Sequence, residues 1–167
     1  MKLIENIYTK EEILQILREP KTYNSGKLED SDIDRRMKLK PNNPQFYTLK
    51  LDIDGDYKVI LQHNNDDEFP EYSAILMKNN IRICRLDFHE AHRRNCKKEI
   101  FKERVANELH LHLYCEDCLK DGFKYDAFVL NISEEKLINL DFKCFVTLFC
   151  KTICLDYKLD CQRSLFS

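Results

Sequence analysis

Apolar and polar residues follow a helical spacing near the start of the chain, a two-residue alternation through its middle, and a helical spacing again towards its end. Ile13, Leu14, Ile16 and Leu17 mark one face of a helix. Thr9 stands where an N-cap belongs and Glu12 follows at capping-box distance, which predicts a helix over 9–19 stopped by Pro20. Residues 20–44 hold KLEDSDIDRR and three of the four prolines, and read as a long loop or irregular arm. From Gln45 the period is two. FYTLKLDI, YKVILQH, YSAILMK and IRICRLDF are predicted strands, with Asp54-Gly55 and Asn79-Asn80 as their tight turns. The stretch 89–104, HEAHRRNCKKEIFKER, is too polar for a core strand and reads as a loop or partial helix. ELHLHLY then resumes the alternation, and FKYDAFVL is a sixth strand candidate. Leu137, Leu140, Phe145, Leu148, Phe149 and Ile153 recur at helical spacing, so 133–157 is predicted helical, with Ser133 available as its cap. The expected class is α+β. An antiparallel sheet of about five or six strands over 45–130 lies between an N-terminal helix and C-terminal helices, in a single domain spanning 1–167.

Length and charge narrow this picture. A chain of 167 residues with 43% apolar and 34% charged side chains has enough material for one core. Its 27 basic and 29 acidic residues leave a formal charge of −2. That balance argues against general nucleic-acid binding and against mimicry of a phosphate backbone. The opening MKLIENIYTKEE lacks the apolar core of a signal peptide, and no apolar run reaches the roughly 18 residues of a membrane span. Eight cysteines without a secretion signal point to a reducing, cytoplasmic setting, where clustered thiols more often hold metal than pair as disulfides.

The chemistry is concentrated in 84–118, which contains four of the five histidines and four of the eight cysteines. In LHLHLYCEDC, His110 and His112 share one face of a strand, about 6.6 Å apart along the backbone. Cys115 and Cys118 have the CxxC spacing that turns two thiolates towards one zinc ion. Strand parity sets Cys115 opposite His112 unless the strand ends near Tyr114, so one site or two remain open. His92 and Cys96, just upstream, are natural third and fourth ligands if strand 81–88 pairs with strand 108–114. The expected metal residues are therefore His92, Cys96, His110, His112, Cys115 and Cys118, with Zn2+ as the ion. Cys84 lies within IRICRL and reads as core, as do Cys144, Cys150, Cys154 and Cys161. His89 reads as a solvated loop residue, and His63 carries no special expectation.

A cysteine-rich set of four ligands is closed and structural, whereas a catalytic zinc keeps an open position beside a carboxylate. His92, His110 and His112 with Asp87, Glu90 or Glu108 as base would make the catalytic version, a metal-dependent hydrolase, nuclease or toxin. The CxxC favours the structural version. HExxH, GxSxG and a phosphate-cradling glycine loop are missing, so no catalytic residues are assigned. Arg82, Arg85, Arg93, Arg94, Lys97, Lys98 and Lys102 could line a phosphate-binding patch, which with exposed aromatics would suit an RNA-binding module. Glu90, Glu99 and Glu103 balance them in a solvated loop.

EEILQILREPK, RLDFHEAHRRN, ELHLHLY and CQRSLF, in that order, resemble a bacterial and phage domain family without assigned chemistry. The most specific element is RLD…H…N…HLHLY, here Asp87, His92, Asn95, His110, His112 and Tyr114. Cys96, Cys115 and Cys118 depart from that pattern and strengthen the zinc reading. As a whole the chain also resembles phage-encoded, zinc-containing anti-CRISPR proteins. That resemblance implies a small inhibitor that binds a type II CRISPR effector nuclease in the bacterial cytosol and blocks its DNA loading or activation.

Overall fold

The computed structural model describes residues 4–5, 7–40, 43–64, 70–88, 109–117, 126–130 and 140–158. Among them the chain runs β1 (Ile4–Glu5), α1 (Lys10–Arg18), β2 (Leu28–Glu29), α2 (Asp30–Arg36), β3 (Lys38–Lys40) and β4 (Asn43–Ile53). It continues through β5 (Tyr57–Asn64), β6 (Tyr72–Lys78), β7 (Ile81–Phe88), β8 (Leu109–Leu113), β9 (Asp126–Val129), α3 (Phe142–Thr152) and β10 (Tyr157–Lys158). The α+β class is as expected from the sequence. β4 to β8 form a five-strand antiparallel body in chain order, β3 and β9 extend it at either edge, and β1 pairs with β7 in parallel. No helix among the described residues is long and apolar enough to cross a membrane.

The turns follow their residues. Asn79 and Asn80 have φ of 50° and 64°, the two left-handed positions of a type I′ turn, and Lys78 pairs directly with Ile81 across it. The β4–β5 turn takes three residues, with Gly55 and Asp56 at φ of 87° and 67°. Register then fixes the faces. Leu49, Leu51, Val59, Leu61, Ala74, Leu76, Cys84, Leu86, Leu111 and Leu113 are paired neighbours on one face and are all buried. Ile13, Ile16 and Leu17 of α1, Ile33 of α2, and Phe145, Leu148 and Phe149 of α3 belong to the same core. Burying an apolar side chain of this size contributes roughly 1.5–3 kcal/mol, so the three helices are held chiefly by this layer.

α1 begins as expected: the Glu12 amide donates to Thr9 Oγ1 at 3.2 Å and the Thr9 amide to Glu12 Oε1 at 3.1 Å. Two expectations change. The arm over 20–44 is not irregular, because it contains β2, α2 and β3. Ile33 anchors α2 in the core, and acidic residues in its first turn and basic ones in its last suit the helix dipole. Of the predicted helical span 133–157, residues 133–139 lie outside the described residues; α3 starts after Asp141, whose carboxylate accepts the Cys144 amide at 2.7 Å, and ends before 157. Ser133 lies outside the described residues. α3 stops because the Leu155 amide bonds back to the Cys150 carbonyl at 2.8 Å and the Cys154 amide to Lys151 at 3.3 Å, a Schellman closure. Cys154 takes the left-handed position, φ 57°, usually held by glycine. Tyr157 and Lys158 then run as a strand beside Leu28 and Glu29.

Lys21 joins the two helix ends. It is 2% exposed, and its ammonium donates to the carbonyls of Ile16 at 2.6 Å, Glu19 at 2.8 Å and Ile153 at 2.7 Å. Two helix C-termini thus converge on one cation, the charge their carbonyls favour.

Candidate functional site

The sheet face opposite the core is polar and exposed along β4 and β5 at Lys50, Asp52 and Lys58, and buried along β7 and β8. Antiparallel register sets Asp87 opposite His110 and Arg85 opposite His112. Asp87, His110 and His112 are 1%, 2% and 0% exposed, an unusual concentration of buried polar groups. Arg85 organises it. Its Nε donates to Asp87 Oδ2 at 2.7 Å, and its terminal nitrogen lies 3.2 Å from His112 Nδ1. His112 Nε2 lies 3.2 Å from the same Asp87 oxygen.

Protonation follows from the partners. A guanidinium only donates, so His112 Nδ1 accepts from Arg85; Nε2 lies 3.2 Å from the carboxylate without the geometry of a hydrogen bond. One carboxylate oxygen thereby lies close to the guanidinium and the imidazole together. A second arginine joins on this face. β7 is bulged against β6: Leu76 pairs with Cys84 and Met77 with Arg82, leaving Ile83 as the extra residue. Strict alternation would send Arg82 and Arg85 to opposite faces; the bulge sets both beside the network. Arg82 lies 5.0 Å from the Tyr114 ring centroid, with its nitrogen 3.4 Å from the Tyr114 hydroxyl. Burial raises the Tyr114 phenol pKa, while Arg85 and Arg82 pull it down.

Of the six predicted metal residues, His110, His112 and Cys115 lie among the described residues. His110 and His112 share a face, as expected from their spacing. Cys115 goes the other way, into the core cluster, where it bridges to Tyr8 and the Glu116 amide bonds to the Tyr8 carbonyl at 2.8 Å. His92, Cys96 and Cys118 lie outside the described residues. Among the described residues no three His, Cys, Asp or Glu side chains are grouped to hold a metal ion. The Nε2-to-carboxylate separation of 3.2 Å matches that of two ligands on one zinc, given metal–ligand bonds of about 2.0–2.2 Å. For Nε2 to bind zinc the ring proton would sit on Nδ1, which now accepts from Arg85.

Cys84, Cys144 and Cys150 are buried, as their apolar settings imply, whereas Cys154 is exposed. Burial pushes the Cys84 thiol up to about 12, and Cys150 higher still. A separate cavity of about 540 Å³ lies between the ends of α1 and α3, lined by Lys21, Thr147, Cys154, Asp156 and Tyr157 among others, and shares no lining residue with the Asp87 network. Arg85 as the network's centre was not legible in the sequence, where it reads only as one basic residue among several. The usable signal was its strand-parity match to Asp87, two residues on. Comparison of the chain with protein-family models, curated proteins and solved structures finds no match.

Proposed function

We propose that the protein works by occupancy: it is a small inhibitor that binds a larger partner and turns over no substrate. The observation that supports this reading is the closed Asp87–His112–Arg85 arrangement. A general base needs a ring nitrogen directed at its substrate's proton. In His112, Nδ1 is held by Arg85 at 3.2 Å and Nε2 is buried 3.2 Å from Asp87, so neither nitrogen is presented to a substrate. The partner, a type II CRISPR effector nuclease in the bacterial cytosol, rests on the sequence resemblance. Zinc remains in this proposal as a second brace contributed by the 84–118 region, drawing on His92, Cys96 and Cys118. Mixing the protein with guide-loaded effector nuclease and resolving the mixture by size exclusion tests the reading. A one-to-one complex with loss of DNA cleavage is expected; separate elution with cleavage intact would overturn it. Elemental analysis of the same preparation checks the zinc, with about one ion per chain expected.

A second reading, a metal-dependent hydrolase, is favoured by the 3.2 Å approach of His112 Nε2 to Asp87. It requires His112 to leave Arg85. Asp87→Asn separates the two: the hydrolase loses turnover and its metal, whereas the inhibitor keeps its partner in proportion to the folded protein that remains.

A further inference from the structure

At the end of β5 an imidazole is held between rings from two other elements. Tyr47 of β4 stacks on His63 with centroids 4.9 Å apart and planes at 20°; Phe142, the first residue of α3, meets its other neighbour position at 4.5 Å and 47°. Phe142 continues to Tyr72 at 5.6 Å and to Phe145 at 6.3 Å, so ring contact runs from the sheet into the first turn of α3. His63 Nδ1 lies 2.6 Å from the Asn64 carbonyl oxygen, which only accepts. Nδ1 therefore carries a proton, and Nε2 is the basic atom.

We propose that His63 is a pH-sensitive latch that fastens the first turn of α3 to the sheet, closed while its imidazole is neutral and loosened when Nε2 takes a proton. An imidazolium is better solvated in open water than in a half-buried ring stack. Burial holds the His63 pKa below its ordinary value, with the Asn64 carbonyl pulling the other way. A base whose folded pKa is depressed leaves the folded state with fewer protons than the unfolded one as pH falls below about 6.5. The latch is thus at full strength above that pH and weakens below it.

Among the described residues, charged side chains beside the stack on α3 are engaged elsewhere. Asp141 turns its carboxylate to the Cys144 amide at 2.7 Å, and Lys143 turns its ammonium to Asp34 at 3.1 Å. Glu71, next to β6, gives its amide to the Asn64 side chain at 3.0 Å.

NMR titration of the full chain between about pH 4.5 and about pH 8 tests the latch. The His63 ring is expected to titrate below about 6.5, with the Phe142 ring protons and the Cys144 amide shifting in the same step. In His63→Phe those two reporters should hold their high-pH positions throughout. A His63 midpoint at or above about 6.5 overturns the proposal, as do reporters that stay still through the His63 step. Reporters that move equally in His63→Phe also overturn it. Should that variant fold poorly, the wild-type titration with His63→Gln gives the same decision.

Discussion

A buried carboxylate is stable only while its partners remain, and those of Asp87 include Arg85 at 2.7 Å and His112 at 3.2 Å. Asp87→Ala strands a guanidinium and an imidazole in low dielectric, and is expected to cost about 3–5 kcal/mol in denaturant unfolding, the range for breaking a buried pair. Asp87→Asn keeps the shape and an acceptor oxygen and should cost less. Cysteine accessibility gives a second check at this scale. Under native conditions an alkylating reagent followed by peptide mapping should label Cys154 and spare Cys84, Cys144 and Cys150 until the protein unfolds. Cys154→Gly removes a left-handed non-glycine residue from the end of α3 and should raise stability by about 1 kcal/mol, a rise of about 2–4 °C in Tm for a chain of this size. Cysteine, like the histidines, had two readings in the sequence. A CxxC looks the same whether its first thiol meets zinc or a leucine layer, and Cys115 meets the core.

Elements are governed by local rules, and most were legible. The Thr9–Glu12 pair closes as a capping box because both partners lie within one turn, so Thr9→Ala should lose about 1 kcal/mol of stability, read as a fall in the urea midpoint at unchanged m-value. The Asn79-Asn80 turn needs left-handed backbone at both residues; Asn80→Gly should stabilise the β6–β7 hairpin by about 0.5–1 kcal/mol, checked by Tm. Strands β4 to β8 match their alternating segments to within a few residues for the same reason: a period of two survives only where one face is buried. α2 escaped notice because seven residues with one buried isoleucine make no periodic signal. Residues 155–158 escaped for a different reason. They continue an apolar helical pattern, and only the closure at Cys154 and the pairing with β2 turn them into a strand.

At the scale of the molecule, chain segments far apart in sequence are fastened together. Lys21 reaches Ile153 across 132 positions while also capping α1. Lys21→Met would leave three carbonyls without their cation and is expected to cost about 3 kcal/mol or more, measured by chemical denaturation, with the loss shared between α1 and α3 rather than confined to either. Beside it the Lys21–Leu155 bridge and the β2–β10 pair tie the first thirty residues to the end of the described chain. Spacing and composition were enough to establish the α+β class, the order of the strands, the first helix with its cap and the burial of Cys84, because each depends on neighbours within a turn or a hairpin. The placing of Arg82 and Arg85 on one face, the union of Asp87 with His112, the parting of Cys115 from the histidines and the fastening of two helix ends by Lys21 all depend on register, a bulge and packing between segments distant along the chain. Those relations arise only when the sheet pairs and the helices close over it, so no local pattern of residues contains them.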